Sequence, residues 1–287
     1  MERIGRSWAL AKASYRVLRA DRELVIFPLI SFIALVVVLV SFAVPLAVVG
    51  IADLDTGELS PAGIVIGFVF YVVAYSVAFF FNTALVGAAM IRLNGGDPTL
   101  SDGIRVAMSR LPAIIGYAVI AATVGMILRW ISERAGIVGS IVAGILGFAW
   151  SVATFLVVPV LVVEGVGPIE AVKRSSTMLK KTWGEQLVGG FGIGLVFGLI
   201  MFAIAIVGGA IIVALASVST SLMVVGIVAL ILALGAVALV ASALGGIYTA
   251  AVYRYATTGE AGEFGTNALA GAFRQKEPGR LGGIIGR

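Results

Sequence analysis

Few side chains in this sequence could carry out chemistry, because its 287 residues include neither histidine nor cysteine. The chain therefore lacks the usual general base, the commonest transition-metal ligand, a thiol nucleophile and any disulfide. The polar residues within or beside the long apolar runs are weakly reactive, and the candidates among them are Asn82, Thr83, Thr154 and Glu164. No nucleophile can be paired with a base. We therefore expect no enzymatic activity, no metal and no cofactor.

These polar residues have two interpretations each. In hydrocarbon, Asn82 and the threonines either form interhelical hydrogen bonds, worth about 0.6 kcal/mol on average, or line a weakly polar path. Glu164 either pairs with a basic residue of the segment that follows it or takes a catalytic or ion-binding role. Pro159 should bend the helix before Glu164, because proline removes one backbone donor and clashes with the preceding turn.

Six apolar runs must position these residues. Crossing a hydrocarbon core of about 30 Å takes about 20 helical residues, and each run comes close to or exceeds that length without a charged residue. The runs cover residues 24–50, 61–91, 111–128, 136–163, 187–217 and 221–253. A soluble surface normally needs about 25% charged residues, whereas this chain has 12%, with 60% hydrophobic residues. The sequence predicts an all-α membrane protein with six transmembrane helices.

The positive charge is distributed asymmetrically along the chain. Of the 20 lysine and arginine residues, all except Arg129 and Arg134 lie in the head, the second loop, the fourth loop or the tail. By the positive-inside rule, these segments and both termini are cytoplasmic in a plasma-membrane protein. Topology explains the basic pI, so we expect no nucleic-acid binding.

A short basic segment precedes the first, third and fifth apolar runs. Each is predicted to be an amphipathic helix in the headgroup plane: residues 1–22, the segment from Thr99 and its capping partner Asp102, and the segment from Pro168 to Trp183. The apolar faces include Tyr15 and Leu18 in the first segment, Ala107 and Met108 in the second, and Ile169 and Leu179 in the third. The predicted ligands of anionic headgroups are Arg6, Trp8, Arg16, Lys173, Arg174, Lys180, Lys181 and Trp183.

The order of short helix and hairpin indicates three parallel repeats within one domain over residues 1–276, followed by a disordered tail at 277–287. Chance similarity of apolar sequences and a shared need for basic anchors are the alternatives. Gly190, Gly194 and Gly198 share one helical face, at a spacing that allows close helix approach. That face predicts an intramolecular contact, a subunit interface or a pore lining. The glycine pairs 208–209 and 245–246 are candidate bends.

The segment from Pro159 and Glu164 through residues 167–175 to residues 180–185, with residues 6–10, resembles a family of uncharacterised prokaryotic six-span membrane proteins. The resemblance covers most of the chain and implies a fold but no activity. The pattern of a helix before each hairpin is also distantly similar to the membrane domain of some glycerophosphodiester phosphodiesterases. The soluble domain of those enzymes and its metal ligands have no counterpart in this sequence.

These observations favour a non-enzymatic integral membrane protein that forms homo-oligomers and contacts anionic lipids. It would act either as a passive pore or as a membrane-organising scaffold. The alternative is a transporter for a lipid or another weakly charged solute, for which weakly polar walls and glycine bends would suffice.

Overall fold

The computed structural model describes residues 12–49, 60–134, 136–183 and 192–259, and in these residues it contains helices and turns without any strand. Six helical stretches are long and apolar enough to cross a membrane, which confirms the all-α class and the predicted number of spans. They are Arg22–Pro45, Pro61–Leu93, Leu111–Arg134, Gly136–Glu164, Val196–Ala216 and Thr220–Thr258. The head before residue 12 and the tail after residue 259 lie outside the described residues.

Short and long helices alternate in a regular order. They are α1 (residues 12–20), a 3₁₀ turn (Arg22–Val25), α2 (Ile26–Val49), α3 (Pro61–Leu93), α4 (Leu100–Ser109), α5 (Leu111–Arg134), α6 (Gly136–Ala153), α7 (Val157–Glu164), α8 (Pro168–Trp183), α9 (Gly192–Ala216) and α10 (Thr220–Thr258). The short helices α1, α4 and α8 precede the hairpins α2–α3, α5–α6 and α9–α10. This is the order that the sequence repeat predicts.

Local sequence signals explain where several helices begin. The side chain of Ser60 accepts a hydrogen bond from the Gly63 N–H at 3.0 Å, and Pro61 occupies the first helical position of α3. Thr99 and Asp102 form the predicted capping box at the start of α4. Hydrogen bonds from the side chain and backbone of Thr99 hold the pKa of Asp102 below its ordinary value.

The fourth predicted span is two helices, α6 and α7, separated by a turn at residues 154–156. The carbonyl group that Pro159 would clash with belongs to Phe155, four residues earlier, so proline explains the position of the break. Ser175 of α8 satisfies two main-chain groups there. Its Oγ donates to the Ala153 carbonyl at 2.7 Å and accepts from the Leu156 N–H at 3.1 Å.

The closely packed core lies at one end of the bundle, which we call the basic end because Arg92, Arg110, Arg174 and Arg254 are found there. The core combines the inward side of α1, the second half of α3, the first half of α5, α7 and the last part of α10. Small residues bring the helices together. A Cβ added to Gly103 would overlap the Phe27 ring and lie 2.7 Å from the Ala84 carbonyl oxygen.

The other end, which we call the outer half, is apolar but loosely covered by the chain itself. Large apolar side chains of α2, α6, α9 and the first half of α10 are exposed along their lengths. The glycine pairs 208–209 and 245–246 lie within uninterrupted helices and mark no break. Gly246 instead allows a close contact, because an added Cβ would overlap Leu85 of α3.

Candidate functional site

A cluster of charged and polar side chains joins three helices at the basic end. Glu164, the last residue of α7, forms an ion pair with Arg174 of α8 and accepts a hydrogen bond from the Tyr253 hydroxyl of α10 at 3.0 Å. Arg174 also pairs with Glu170 through Nε at 3.0 Å. These carboxylates raise the pKa of Arg174. The predicted pairing of Glu164 with a basic residue of the next helix is confirmed, and it fixes α8 against the bundle.

Arg110 lies between α4 and α5 and reaches across to α7. Its Nη2 donates to the Val162 carbonyl at 3.3 Å, near the end of α7 where helical carbonyl groups lack intrahelical partners. A positive charge there also complements the helix dipole. Gly165 makes room for the guanidinium: it has φ of +64°, and a Cβ on it would lie 2.5 Å from Nη1 of Arg110.

A cavity of about 360 Å³ opens beside this arginine. One wall is the α4–α5 junction, with Ser109, Arg110 and Ala113. The facing wall is the α7–α8 loop, with Val166 and Gly167. The cavity therefore lies between the second and the third short helix, on the same end of the bundle as the other basic residues.

The buried faces of the short helices follow the sequence prediction only in part. Leu18, Ala107 and Leu179 are buried as predicted, whereas Tyr15, Met108 and Ile169 are 52%, 55% and 63% exposed. Small residues take many of the inward positions, because they allow the helix backbone to approach the bundle closely. The small inward residues are Ala13 and Ser14 in α1, Gly103 and Ala107 in α4, and Ala171 and Ser175 in α8. Each short helix therefore has small residues on its inward face and an exposed large apolar residue.

The predicted headgroup ligands fall into three groups: exposed cations, one arginine that is paired with carboxylates, and residues that are not described. Lys173 and Lys180 are exposed on α8, and Arg16 is exposed on α1. Arg174 is different, because its guanidinium is already held by two carboxylates. Arg6, Trp8 and the side chains of Lys181 and Trp183 lie outside the described residues.

The polar residues predicted to line a path are engaged locally or buried. Thr154 donates to the Trp150 carbonyl at 2.8 Å, within its own helical turn. Thr83 is fully buried, and its hydroxyl has no hydrogen-bond partner in the part of the chain that the structure describes. Asn82 faces α10, with its Oδ1 3.5 Å from the position that a Cβ of Gly246 would occupy.

The glycine face of α9 has no neighbour within the described chain. Gly194 and Gly198 are exposed, and a Cβ added to either would meet nothing within 4 Å. Gly190 lies outside the described residues. The described residues therefore provide no intramolecular contact for Gly194 and Gly198, and the use of this face stays a prediction.

Sequence reasoning missed several residues that the fold brings together. Arg110 bonds to a carbonyl 52 positions away, and Tyr253 to a carboxylate 89 positions away. Arg254 likewise donates to the Leu93 carbonyl. For the arginines, the sequence offered one indication of these contacts. Arg110 and Arg254 are placed near helix ends, where carbonyl groups without intrahelical partners are expected.

Comparison with known proteins identifies a family. The model of a family of unknown function, DUF6159, matches residues 61–264, from α3 to beyond the end of α10. The chain belongs to this family. A comparison with curated proteins gave no match. The more distant resemblance to the membrane domain of phosphodiesterases stays a prediction.

Proposed function

We propose that this member of a family of unknown function is a non-enzymatic scaffold of the plasma membrane. In this proposal it self-associates through its outer half and holds anionic lipid at its basic end. The observation that carries the proposal is the division of the molecule into a closely packed basic end and an apolar outer half. Because lipid tails are as apolar as the side chains, helix association in a membrane depends on close packing. An unused face of small residues is suited to such packing.

Self-association is assigned to the α9–α10 hairpin. Among the residues with described side chains between 194 and 242, none is buried. The face with Gly194 and Gly198 allows another helix to approach its backbone. A second copy of the chain presents the same face and satisfies the self-complementary geometry of a two-fold dimer.

Lipid attachment is assigned to the exposed sides of α1, α4 and α8. The exposed apolar residues Tyr15, Met108 and Ile169 share these helices with exposed cations such as Arg16 and Lys173. An amphipathic helix in the headgroup plane combines these two features. Each cation near an anionic surface contributes about 1 kcal/mol.

Self-association is tested with glycine variants in lipid nanodiscs or vesicles. Gly194→Leu and Gly198→Leu should leave folding intact, since an added Cβ at either position meets no atom of the described residues within 4 Å, and should weaken association by about tenfold or more. Gly144→Leu is the matched control, because Gly144 is an exposed glycine of α6, outside the α9–α10 hairpin, whose added Cβ also meets nothing within 4 Å. Unchanged oligomer size in both α9 variants would contradict the interface. Release of a trapped small solute by the wild-type protein would support a pore instead.

Orientation is tested by cysteine labelling, since the chain has no native cysteine. We place the basic end in the cytoplasm. Thr177→Cys, on the exposed side of α8, should react with a membrane-impermeant reagent only after cells are permeabilised. Ser217→Cys, in the exposed turn between α9 and α10, should react in intact cells. The reverse pattern would invert the model. Ser175 is unsuitable for this test because it is fully buried.

A further inference from the structure

We propose that the cavity between the α4–α5 junction and the α7–α8 loop binds a phosphate-type anion through Arg110. The proposal adds a defined binding site to the lipid contacts described above and does not depend on self-association. Either an anionic lipid headgroup or a soluble phosphate could supply this chemistry. Three observations on the facing walls support the site.

The first observation is the unused capacity of the Arg110 guanidinium. Arginine presents five N–H donors, and within the described residues only the bond from Nη2 to the Val162 carbonyl is formed. Its Nε is buried without a partner there. No carboxylate of the described chain pairs with Arg110, whereas the neighbouring Arg174 is paired with Glu164 and Glu170. Among the residues that the structure describes, the positive charge of Arg110 therefore has no carboxylate partner at the cavity.

The second observation is a set of main-chain donors on the walls. The N–H groups of Val166 and Gly167 donate no hydrogen bond within the described part of the chain. The first main-chain hydrogen bond of α5 runs from the Ile114 N–H to the Arg110 carbonyl, and that of α8 runs from the Ala171 N–H to the Gly167 carbonyl. Ala113 comes one residue before Ile114, so its N–H also donates no hydrogen bond within the described residues. Together, these groups give an anion several donors beside the arginine.

The third observation is the size and location of the cavity. About 360 Å³ is near the lower end of the range for small-molecule sites, and the cavity is open on one side, so it has room for a phosphate and its immediate substituent. Gly165 helps to keep this space, because its left-handed backbone and lack of a side chain allow the guanidinium to lie over it. The cavity also lies at the basic end, where headgroups would meet the protein.

The test uses the full chain and two probes, inorganic phosphate and phosphatidylglycerol. Phosphate is titrated at constant ionic strength and followed by ³¹P NMR, and lipid retention from nanodiscs is followed by native mass spectrometry. Ser109→Glu adds a negative charge at the cavity rim, and Arg110→Gln removes the cation. Either change should weaken binding by about tenfold or more, since charge-assisted bonds dominate such a site.

Matched controls are on the same helix. Ser101→Glu adds the same charge at the far end of α4, and Arg105→Gln removes an exposed cation that pairs with Asp102 at 3.4 Å. Both should bind as the wild type does. Arg110→Lys should keep part of the affinity. If Arg110→Gln does not fold, Ser109→Glu decides the result without touching the bond to α7.

The outcomes separate the sources of the anion. Cavity-dependent binding of lipid alone identifies a headgroup site, and binding of inorganic phosphate alone identifies a soluble anion. Competition between the two probes shows that the site takes the phosphate group from either source. Equal binding of both probes by Ser109→Glu and Ser101→Glu, or no binding of either probe to the wild-type protein, would overturn the proposal. Oligomer size measured on the same samples shows separately whether the scaffold proposal fails.

Discussion

Gly246→Ala should destabilise the contact between α3 and α10, although the change adds only one methyl group. The added Cβ would overlap Cδ2 of Leu85 and lie 3.0 Å from its Cγ. Leu85 is 1% exposed and Gly246 is buried, so the leucine cannot simply swing into open space. Relief requires a strained rotamer or a wider separation of the two helices.

The magnitude follows from two opposing effects. Overpacking of a well-filled core costs about 1–3 kcal/mol. Replacing glycine by alanine within a helix returns about 0.5–1 kcal/mol. We therefore expect a net loss of up to about 2.5 kcal/mol in the free energy of unfolding, with a central value of about 1 kcal/mol, measured by reversible unfolding in mixed micelles.

The adjacent glycine provides the matched control. A Cβ on Gly245 meets nothing within 4 Å, so Gly245→Ala should be neutral or stabilise by up to about 1 kcal/mol. In a Leu85→Ala background the additional cost of Gly246→Ala should disappear, because the colliding atoms are gone. Equal stabilities of the two alanine variants would refute this account of the α3–α10 contact.

Three further predictions concern the basic end. Ser175→Ala should cost about 1–3 kcal/mol, because it leaves two main-chain groups at the break in the fourth span without partners, whereas Ser176→Ala, which removes only a bond within its own helix, should cost much less. Tyr253→Phe should cost about 1.5–3 kcal/mol by removing a hydrogen bond to the carboxylate that ends α7. Tyr248→Phe is the control, because the Tyr248 hydroxyl has no hydrogen-bond partner in the described chain. A similar loss of stability in this variant would mean that repacking, and not the lost hydrogen bond, destabilises Tyr253→Phe. Burial raises the pKa of Asp21. Between the ordinary aspartate pKa and this raised pKa, the native state therefore binds more protons than the unfolded chain. The free energy of unfolding should fall as the pH rises through this range. Asp21→Asn should therefore be more stable than the wild type at neutral pH and should lose this advantage below about pH 4. If the difference in stability between the two proteins does not change with pH, the raised pKa of Asp21 is contradicted.

The apolar runs and local end signals were enough to predict the spans, the capping box and the disturbance before Pro159. Each depends on residues that are close in sequence. A run of about 20 apolar residues specifies a membrane helix without reference to its neighbours. The Thr99 capping box is likewise complete within four residues.

The inward faces of the short helices could be predicted only in part. Hydrophobic periodicity places the largest apolar residues inside, which is right for Leu179 and wrong for Met108 and Ile169. In the structure, the close approach of helix backbones gives several inward positions to small residues. Ala171 and Ser175 allow α8 to lie against the break in the fourth span, where Ser175 also supplies two hydrogen bonds. That requirement becomes visible only when α6, α7 and α8 are placed together.

The roles of the basic residues also depend on contacts between helices and could not be predicted from the sequence. Arg174 looks like a headgroup ligand because it follows Lys173 on a basic helix, yet the turn between α7 and α8 brings it back to Glu164. The left-handed Gly165 makes that turn and at the same time leaves room for Arg110. Gly165 thus allows Arg174 to pair with Glu164 and Arg110 to lie beside the cavity. Arg174 is paired with two carboxylates, while Arg110 lies beside a cavity with no carboxylate partner among the described residues.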